Sequence, residues 1–482
     1  MADVVLINPA NVEDPFGSAK EIPPLGLLSL AAVLEQDGYN VRVIDLEFAQ
    51  DNVARILEEE SPTVVGIGGT SVSRFSAFEI AKIAKLVNPK ITVVYGGSHA
   101  SFAAEDTLIR IPQIDVIVHG EGELVIRELI ACLRYQDSLS KVRGISYRNN
   151  GRVVSNAPMP RIRDLDSLPM PARHLVDMRR YTLKLDLIGQ KAASLVTSRG
   201  CPINCSFCSA SVMFGRMLTT RSARNIVDEI AYVLDNYGVK GIKFFDSTFT
   251  LSRKHVESIC DEIIRRGISF PWECEIRVDT VDLPLLQKMK SAGCYMVDFG
   301  VESASPQVLH RMHKRITLAQ VEDVLKWTND LGIAQKVFFT FGHINETMED
   351  AEQTLSFIER NLNRISRPSI NVGIRIYPGT EVEKYAFTQG YLGIFSWAEP
   401  YEAKENLILN APRNIPLLLQ PQMGLQELLE IKRRTLALQG SNLKFVLRRL
   451  AGAHSLSDLL RYARGVGKVT RLTLQHRLSN RD

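Results

Sequence analysis

Short apolar runs alternate with amphipathic segments along most of the chain. Val4-Val5-Leu6-Ile7, Val41 to Asp45, Val64 to Gly69, Ile91 to Gly97 and Val116-Ile117-Val118 are brief and rich in β-branched residues, so they read as strands. Leu25 to Gln36 reads as a helix stopped by Gly38. Five strands with helices between them predict an α/β unit over residues 1–140, built on a doubly wound parallel sheet. Ligands on such sheets lie beyond the carboxyl ends of the strands. The residues at those ends are Asn8, the run Gly69-Thr70-Ser71, the run Gly96-Gly97-Ser98-His99, and Gly120-Glu121. Glycines there let backbone approach a ligand, and hydroxyls can bond a phosphate or amide tail. Each loop also reads as a tight strand-to-helix turn.

Residues 141–190 form a connector. A hairpin turns on Asn149-Asn150-Gly151, and a Pro-rich stretch with Pro158, Pro160, Pro169 and Pro171 follows. The βα alternation resumes over 191–395. Strands are predicted at 194–198, 241–245, 272–277, 295–300, 336–340 and 369–375. Helices are predicted near 223–236, 253–266, 283–291, 318–330 and 348–361. Residues 396–482 read as a small helical region. From Ile431 onward it is strongly basic, with Asp458 and Asp482 the acids against many Lys and Arg. Leu and Phe interleave with those cations in a basic amphipathic pattern.

Composition narrows the class without deciding the function. Lys and Arg total 58 against 54 Asp and Glu, a net charge of +4 that is too weak to argue for nucleic acid. The start, Met-Ala-Asp-Val-Val-Leu-Ile, lacks the basic n-region of a signal peptide. No run of about 18 apolar residues suggests a membrane span. Seven cysteines, an odd count, do not fit a disulfide framework.

Three of those cysteines carry the chemistry. Cys201, Cys205 and Cys208 are spaced C-x3-C-x2-C, with Phe207 before the last. Three thiolates can hold three irons of a [4Fe–4S] cubane and leave the fourth open, whereas electron-transfer clusters take four cysteines. No second Cys or His pair has zinc-finger spacing. Cys132, Cys260, Cys274 and Cys294 are scattered along the chain.

This spacing resembles the signature of radical S-adenosylmethionine (SAM) enzymes. The N-terminal unit is similar to the Rossmann- or flavodoxin-like cobalamin-binding domain that precedes the radical SAM domain in one class of them. The matching pieces are Pro23-Pro24-Leu25-Gly26, Gly96-Gly97-Ser98-His99 and Gly120-Glu121-Gly122-Glu123. The resemblance implies a partial (β/α)6 TIM-like barrel over 191–395. It implies three cofactors: a [4Fe–4S] cluster, SAM and cobalamin. It places Phe207, Asp246, Arg277, Glu302 and Arg375 around SAM or the substrate. Asp246 would accept from the ammonium, Arg277 would meet the carboxylate, and Glu302 would accept from ribose hydroxyls. Gly342 to Thr347 resembles the loop near the adenine, though Glu346-Thr347 also reads as a helix cap. His310, His313 and Lys314 read as a polar surface loop. Older cobalamin domains carry Asp-x-His-x-x-Gly in their first loop, but Asn8 to Glu21 holds no histidine. Any cobalamin here would therefore lack that cobalt ligand, and His99 would be a tail contact or a cap.

The resemblance implies an enzyme that makes a 5′-deoxyadenosyl radical and methylates an unactivated carbon of an apolar or natural-product substrate. Radical ring formation, as in the anaerobic magnesium-protoporphyrin monomethyl ester cyclases, is the alternative. A non-catalytic cobalamin or cluster sensor is the reading from another class. The partners implied are a small-molecule substrate and an electron donor such as flavodoxin or ferredoxin, with no nucleic acid. The expected compartment is a reducing cytoplasm. Two readings of the basic tail stay open: packing on the barrel, or peripheral association with the inner membrane face and a lipid-like substrate.

Overall fold

The computed structural model describes residues 2–11, 20–48, 52–402, 406, 409 and 412–441. Its first unit is a seven-stranded sheet in the order β2-β1-β3-β4-β5-β6-β7. The strands are β1 (Val4–Asn8), β2 (Val41–Asp45), β3 (Val64–Ile67), β4 (Thr92–Tyr95), β5 (Val116–Val118), β6 (Ile145–Asn149) and β7 (Arg152–Ser155). β1 pairs in parallel with β2 on one side and β3 on the other, Val4 facing both Val41 and Val64. Strands buried on both faces must be apolar throughout, which is why β1 reads as a continuous run. The helix Leu25–Gln36 covers one face with Leu28 and Leu34, and Arg74–Val87 covers the other with Ala77 and Ala81. Strand order reverses between β2-β1 and β3, which opens a crevice at the carboxyl edge.

The hairpin is not a free connector. β6 pairs antiparallel with β5, and β7 with β6, so the first sheet runs past the expected boundary at residue 140. Asn150 (φ 49°) and Gly151 (φ 77°) make its tight turn.

The second unit is a six-stranded, all-parallel sheet. It consists of β8 (Ala192–Leu195), β11 (Gly241–Phe244), β12 (Trp272–Ile276), β13 (Cys294–Glu302), β14 (Ala334–Phe341) and β15 (Arg367–Val372), each beside its sequence neighbour. The helices Ala223–Asn236, Arg253–Arg266, Leu283–Ser291, Leu318–Asp330 and Met348–Asn361 have the expected bounds. Ser222, Ser252, Asp282, Thr317 and Thr347 each accept an amide at the start of one of them, satisfying an orphan donor. The strand expected at 194–198 is split. β8 ends at Leu195, and Ser198–Arg199 (β9) pairs antiparallel with Thr219–Thr220 (β10).

Part of the C-terminal region closes over both units. Leu417 bridges to Arg375, and the helix Leu425–Ser441 buries Leu428 and Ile431 in the second core. Arg74, fully buried, donates to the carbonyls of Ser71, Trp397 (2.8 Å) and Asn414 (2.7 Å). Most of the basic segment, residues 442–482, lies outside the described residues. No helix among the described residues is long and apolar enough to cross a membrane.

Candidate functional site

A cavity of about 750 Å3 lies between the carboxyl edge of the first sheet and the cysteine loop. Asn8, Gly69, Thr70, Gly96, Gly97, Ser98 and Gly120 line it from one side, with Cys208, Ser209 and Met213 from the other. Gly97 is required there: its φ is 104°, and a Cβ would stand 2.4 Å from the Gly69 carbonyl.

Three of the residues expected at this edge have other duties. Ser71 and His99 do not line the cavity. His99 is fully buried among Phe78, Tyr95 and Trp397, with Nδ1 3.1 Å from Ser71 Oγ. Burial pushes its pKa down to about 3. Glu121 does line the cavity, but both carboxylate oxygens are engaged. One pairs with Arg199 at 2.9 Å; the other accepts from the Ile162 amide at 3.0 Å. Arg199 also binds Glu123, at 2.5 and 3.2 Å. This three-residue clamp ties β9, immediately before the cysteine loop, to the first unit.

The cysteine loop runs from β9 to the short helix Ala210–Met213. Gly200 (φ 92°) closes its base, where a Cβ would stand 2.0 Å from the Met217 carbonyl. Ser206 N donates to Met312 O at 3.2 Å, and His313 Nδ1 lies 3.1 Å from Asn204 O. All three thiols are free. Burial raises the pKa of each, neighbouring thiols of the trio add to that, and the Lys314 ammonium offsets the rise only in part. Among the described residues no three His, Cys, Asp or Glu side chains converge as a single-ion site. A cubane asks instead for one thiolate per iron, and three desolvated thiols on one loop beside cations meet that need. The other cysteines lie elsewhere; Cys274 and Cys294 sit on the paired strands β12 and β13, where Cys294 Sγ donates to the Met296 carbonyl at 3.5 Å.

Of the expected SAM contacts, Glu302 and Arg277 stand with the thiols. Glu302 Oε1 is 3.1 Å from Lys314 Nζ, and Oε2 accepts from Thr340 Oγ1 at 3.1 Å. Arg277 is committed to Asp279 through two bonds of 2.9 Å, and it donates to the Lys314 carbonyl at 2.7 Å. Asp246 holds the β8–β9 turn: Oδ1 accepts from Thr197 N (3.0 Å), Thr197 Oγ1 (2.9 Å) and Ser198 Oγ (2.6 Å). Its buried Oδ2 has no partner. Phe207 packs edge-on to His343, with ring centroids 5.6 Å apart. Arg375 stands apart, donating to Gly373 O at 2.6 Å, with Tyr377 and Lys432 as its charged or titratable neighbours. Glu346 ties its own loop, accepting from the amides of Gly342 (2.6 Å) and His343 (2.8 Å), while Thr347 caps the next helix.

Lys314 was expected on the surface and is buried. Its neighbours His313 (φ 59°) and Arg315 (φ 55°) both adopt left-handed backbone, which turns it inward. Neither is a glycine or asparagine, so the local sequence carries no signal of that turn. Thr340 and Arg199 were likewise missed, because their carboxylate partners Glu302, Glu121 and Glu123 are distant in sequence.

Two family profiles match the chain: the Radical SAM superfamily over residues 195–358 and the B12 binding domain over residues 18–130. An uncharacterized methyltransferase of Pyrococcus horikoshii is 36% identical over 379 residues, covering 78% of this chain and 81% of that one. The chain belongs to the radical SAM superfamily, in its B12-binding branch. Membership makes it an enzyme whose cofactors are a [4Fe–4S] cluster, SAM and cobalamin. The anaerobic magnesium-protoporphyrin IX monomethyl ester cyclase of Cereibacter sphaeroides is 30% identical over 362 residues, 73% of this chain but 58% of the cyclase. The hopanoid C-3 methylase of Methylococcus capsulatus is 28% identical over 65% of this chain and 59% of its own length. The fold resembles that of the radical SAM methyltransferase TsrM of Kitasatospora setae, with a TM-score of 0.68 at 21% identity over 83% of this chain and 77% of that one. It also resembles that of the cobalamin-dependent enzyme OxsB, with a TM-score of 0.69 at 21% identity over 86% and 64%.

Proposed function

We propose that this radical SAM enzyme transfers a methyl group to an unactivated carbon of a small organic molecule. The observation that carries the reading is the cavity between the B12-binding sheet edge and the cysteine loop, across which two cofactors would face each other. When bound, the cluster and SAM supply a 5′-deoxyadenosyl radical and cobalamin supplies the methyl group. The protein's part is to hold, orient and shield. Cys201, Cys205 and Cys208 would ligate three irons. Glu302 would accept from the SAM ribose, Phe207 would pack beside the nucleoside, and the free Oδ2 of Asp246 would accept from the ammonium. Gly69, Thr70, Gly96, Gly97, Ser98 and Gly120 would cradle cobalamin, and among the described residues no histidine lines the cavity.

The second sheet would curl into a partial barrel. Lys243 on β11 and Lys336 on β14 both reach Asp298 on β13, at 3.7 and 3.8 Å, which supports that curvature. The face away from its helices carries these charges with Glu275, Thr340 and Asn371, so a substrate lying there would bear polar groups beside its reacting carbon. Of the expected apolar or natural-product substrates, that favours one carrying polar groups. Reduction would come from a flavodoxin- or ferredoxin-type donor. Attachment to an anionic membrane through the basic segment remains part of the proposal, each cation adding roughly 1 kcal/mol at low salt; liposome sedimentation at two salt concentrations tests it. Ring formation is the second reading, favoured by the cyclase relative. A product heavier by one methyl supports transfer; a product lighter by two hydrogens supports ring closure.

A further inference from the structure

We propose that Arg375 and Lys432 form an oxyanion site beside the carboxyl end of β15, built for a doubly charged phosphate group. The substrate brings that group; this last step rests on the methyl-transfer reading above.

Two elements put the cations there. Gly373 (φ 85°) turns the chain after β15, where a Cβ would stand 2.6 Å from Leu417 Cδ1. The chain then runs beside residues 416–418: Ile376 N donates to Pro416 O and Leu418 N to Ile374 O, both at 2.9 Å. Ile374 and Ile376 enter an apolar cluster with Leu418, against which Phe207 packs. Arg375, between them, points to the other side of this extended segment. The helix Leu425–Ser441 packs against β15. Its buried positions are Leu428, Ile431 and Thr435. Lys432, four residues after Leu428, is half-buried on the same stripe, where an apolar residue is the ordinary choice.

Neither cation is neutralised. Arg375 Nη1 donates to the carbonyls of Gly373 (2.6 Å) and Val372 (3.3 Å). Its Nε and Nη2, the Lys432 ammonium and the Tyr377 hydroxyl bond to no described residue, and no described carboxylate acts on either cation. The acids nearest along the helix and beside it are taken: Glu430 binds Arg433 and Glu352 binds Arg434. Burial lowers the pKa of Arg375 and of Lys432, and the Arg375 charge lowers Lys432 further. Charges withdrawn from water are ordinarily paired, so two of one sign together ask for an anion. A phosphate monoester carries about −1.5 to −2 at neutral pH and matches both cations, whereas a carboxylate would leave one over. Nε and Nη2 are the guanidinium edge that binds such a group with two parallel bonds.

The test uses cluster-loaded full-length protein, with phenyl phosphate as probe and benzoate as the singly charged comparator, both followed by NMR line broadening. Wild-type protein should bind one phenyl phosphate per chain, more tightly than benzoate. Arg375→Met and Lys432→Met should each weaken phenyl phosphate roughly 10- to 100-fold, as for loss of a charge-assisted bond. Lys432→Arg should keep most of the affinity, and Arg433→Met, which removes an exposed paired cation, should change nothing. Binding that is absent, that favours benzoate, or that survives in both methionine variants overturns the proposal. If Arg375→Met does not fold, Arg375→Gln takes its place under the same criteria. The Kd values for SAM and hydroxocobalamin should stay within about twofold in the folded variants, because no ionic bond to either cofactor is lost; a tenfold rise in either would give the anion to a cofactor and overturn the assignment to substrate. Formation of 5′-deoxyadenosine by the same preparations tests the enzymatic reading separately: phosphate binding without SAM cleavage would sink that reading and leave the anion site standing.

Discussion

Replacing Arg199 by methionine removes the cation shared by two carboxylates of the first unit. Arg199 lies 2.9 Å from Glu121 and 2.5 Å from Glu123, with side-chain exposures of 18%, 7% and 6%. Breaking a buried pair costs about 3–5 kcal/mol, because the surviving charge is left desolvated. Two such charges survive here, but Glu121 keeps the Ile162 amide and the more distant Arg161, at 4.0 Å, and Arg199 is itself partly wet. A loss of about 3 kcal/mol follows. The triple variant Arg199→Met, Glu121→Gln, Glu123→Gln carries no stranded charge and should lie within about 1 kcal/mol of wild type. Urea unfolding followed by far-ultraviolet circular dichroism and tryptophan fluorescence compares the three proteins. Two probes are needed, since a chain with two units need not unfold in one step. Arg199→Met should also lower cluster occupancy, as it stands two residues before Cys201. A triple variant as unstable as Arg199→Met, or more so, would refute the stranded-charge argument.

Arg74→Met should cost about 3 kcal/mol, since three buried carbonyls lose their donor; hydrogen exchange should rise around Trp397, and an unchanged pattern there would show that Arg74 is not the staple. Burial pushes the Glu346 carboxyl up to about 7 from an ordinary 4.5, so the folded state holds its proton more tightly than the unfolded chain. That contribution is present below pH 4.5 and lost as pH rises to about 7, so Glu346→Gln should flatten the fall in stability across that window; an unaltered slope would contradict it. Protein-bound cob(II)alamin should show no histidine nitrogen coupling in its EPR spectrum, because no histidine among the described residues lines the cavity; such coupling would contradict the cavity assignment.

Local signals carried much of the fold. Helices such as Leu283–Ser291 and Leu318–Asp330 were legible because an Asp or Thr cap, an apolar stripe and a stop all lie within one segment. The cysteine trio was legible for the same reason: its ligands sit on one loop. What failed was long-range. β6 and β7 read as a linker hairpin because nothing in them announces that β5 is their partner. Glu121 and His99 sit at the right sheet edge, but their side-chain directions are set by Arg199, and by Phe78, Tyr95 and Trp397. Lys314 lies in a polar run, and only backbone strain on both sides turns it inward. Cys274 and Cys294 come onto neighbouring strands because β12 and β13 pair, which spacing could not show.

The most direct test is of the trio itself. Anaerobically reconstituted full-length protein should hold four irons per chain, give a reduced-cluster EPR signal that SAM perturbs, and cleave SAM to 5′-deoxyadenosine. The Cys201→Ala, Cys205→Ala, Cys208→Ala variant should lose all three properties while its B12-binding sheet still takes up hydroxocobalamin. A four-iron cluster retained in that variant, or wild-type protein whose cluster neither senses nor cleaves SAM, would contradict the account.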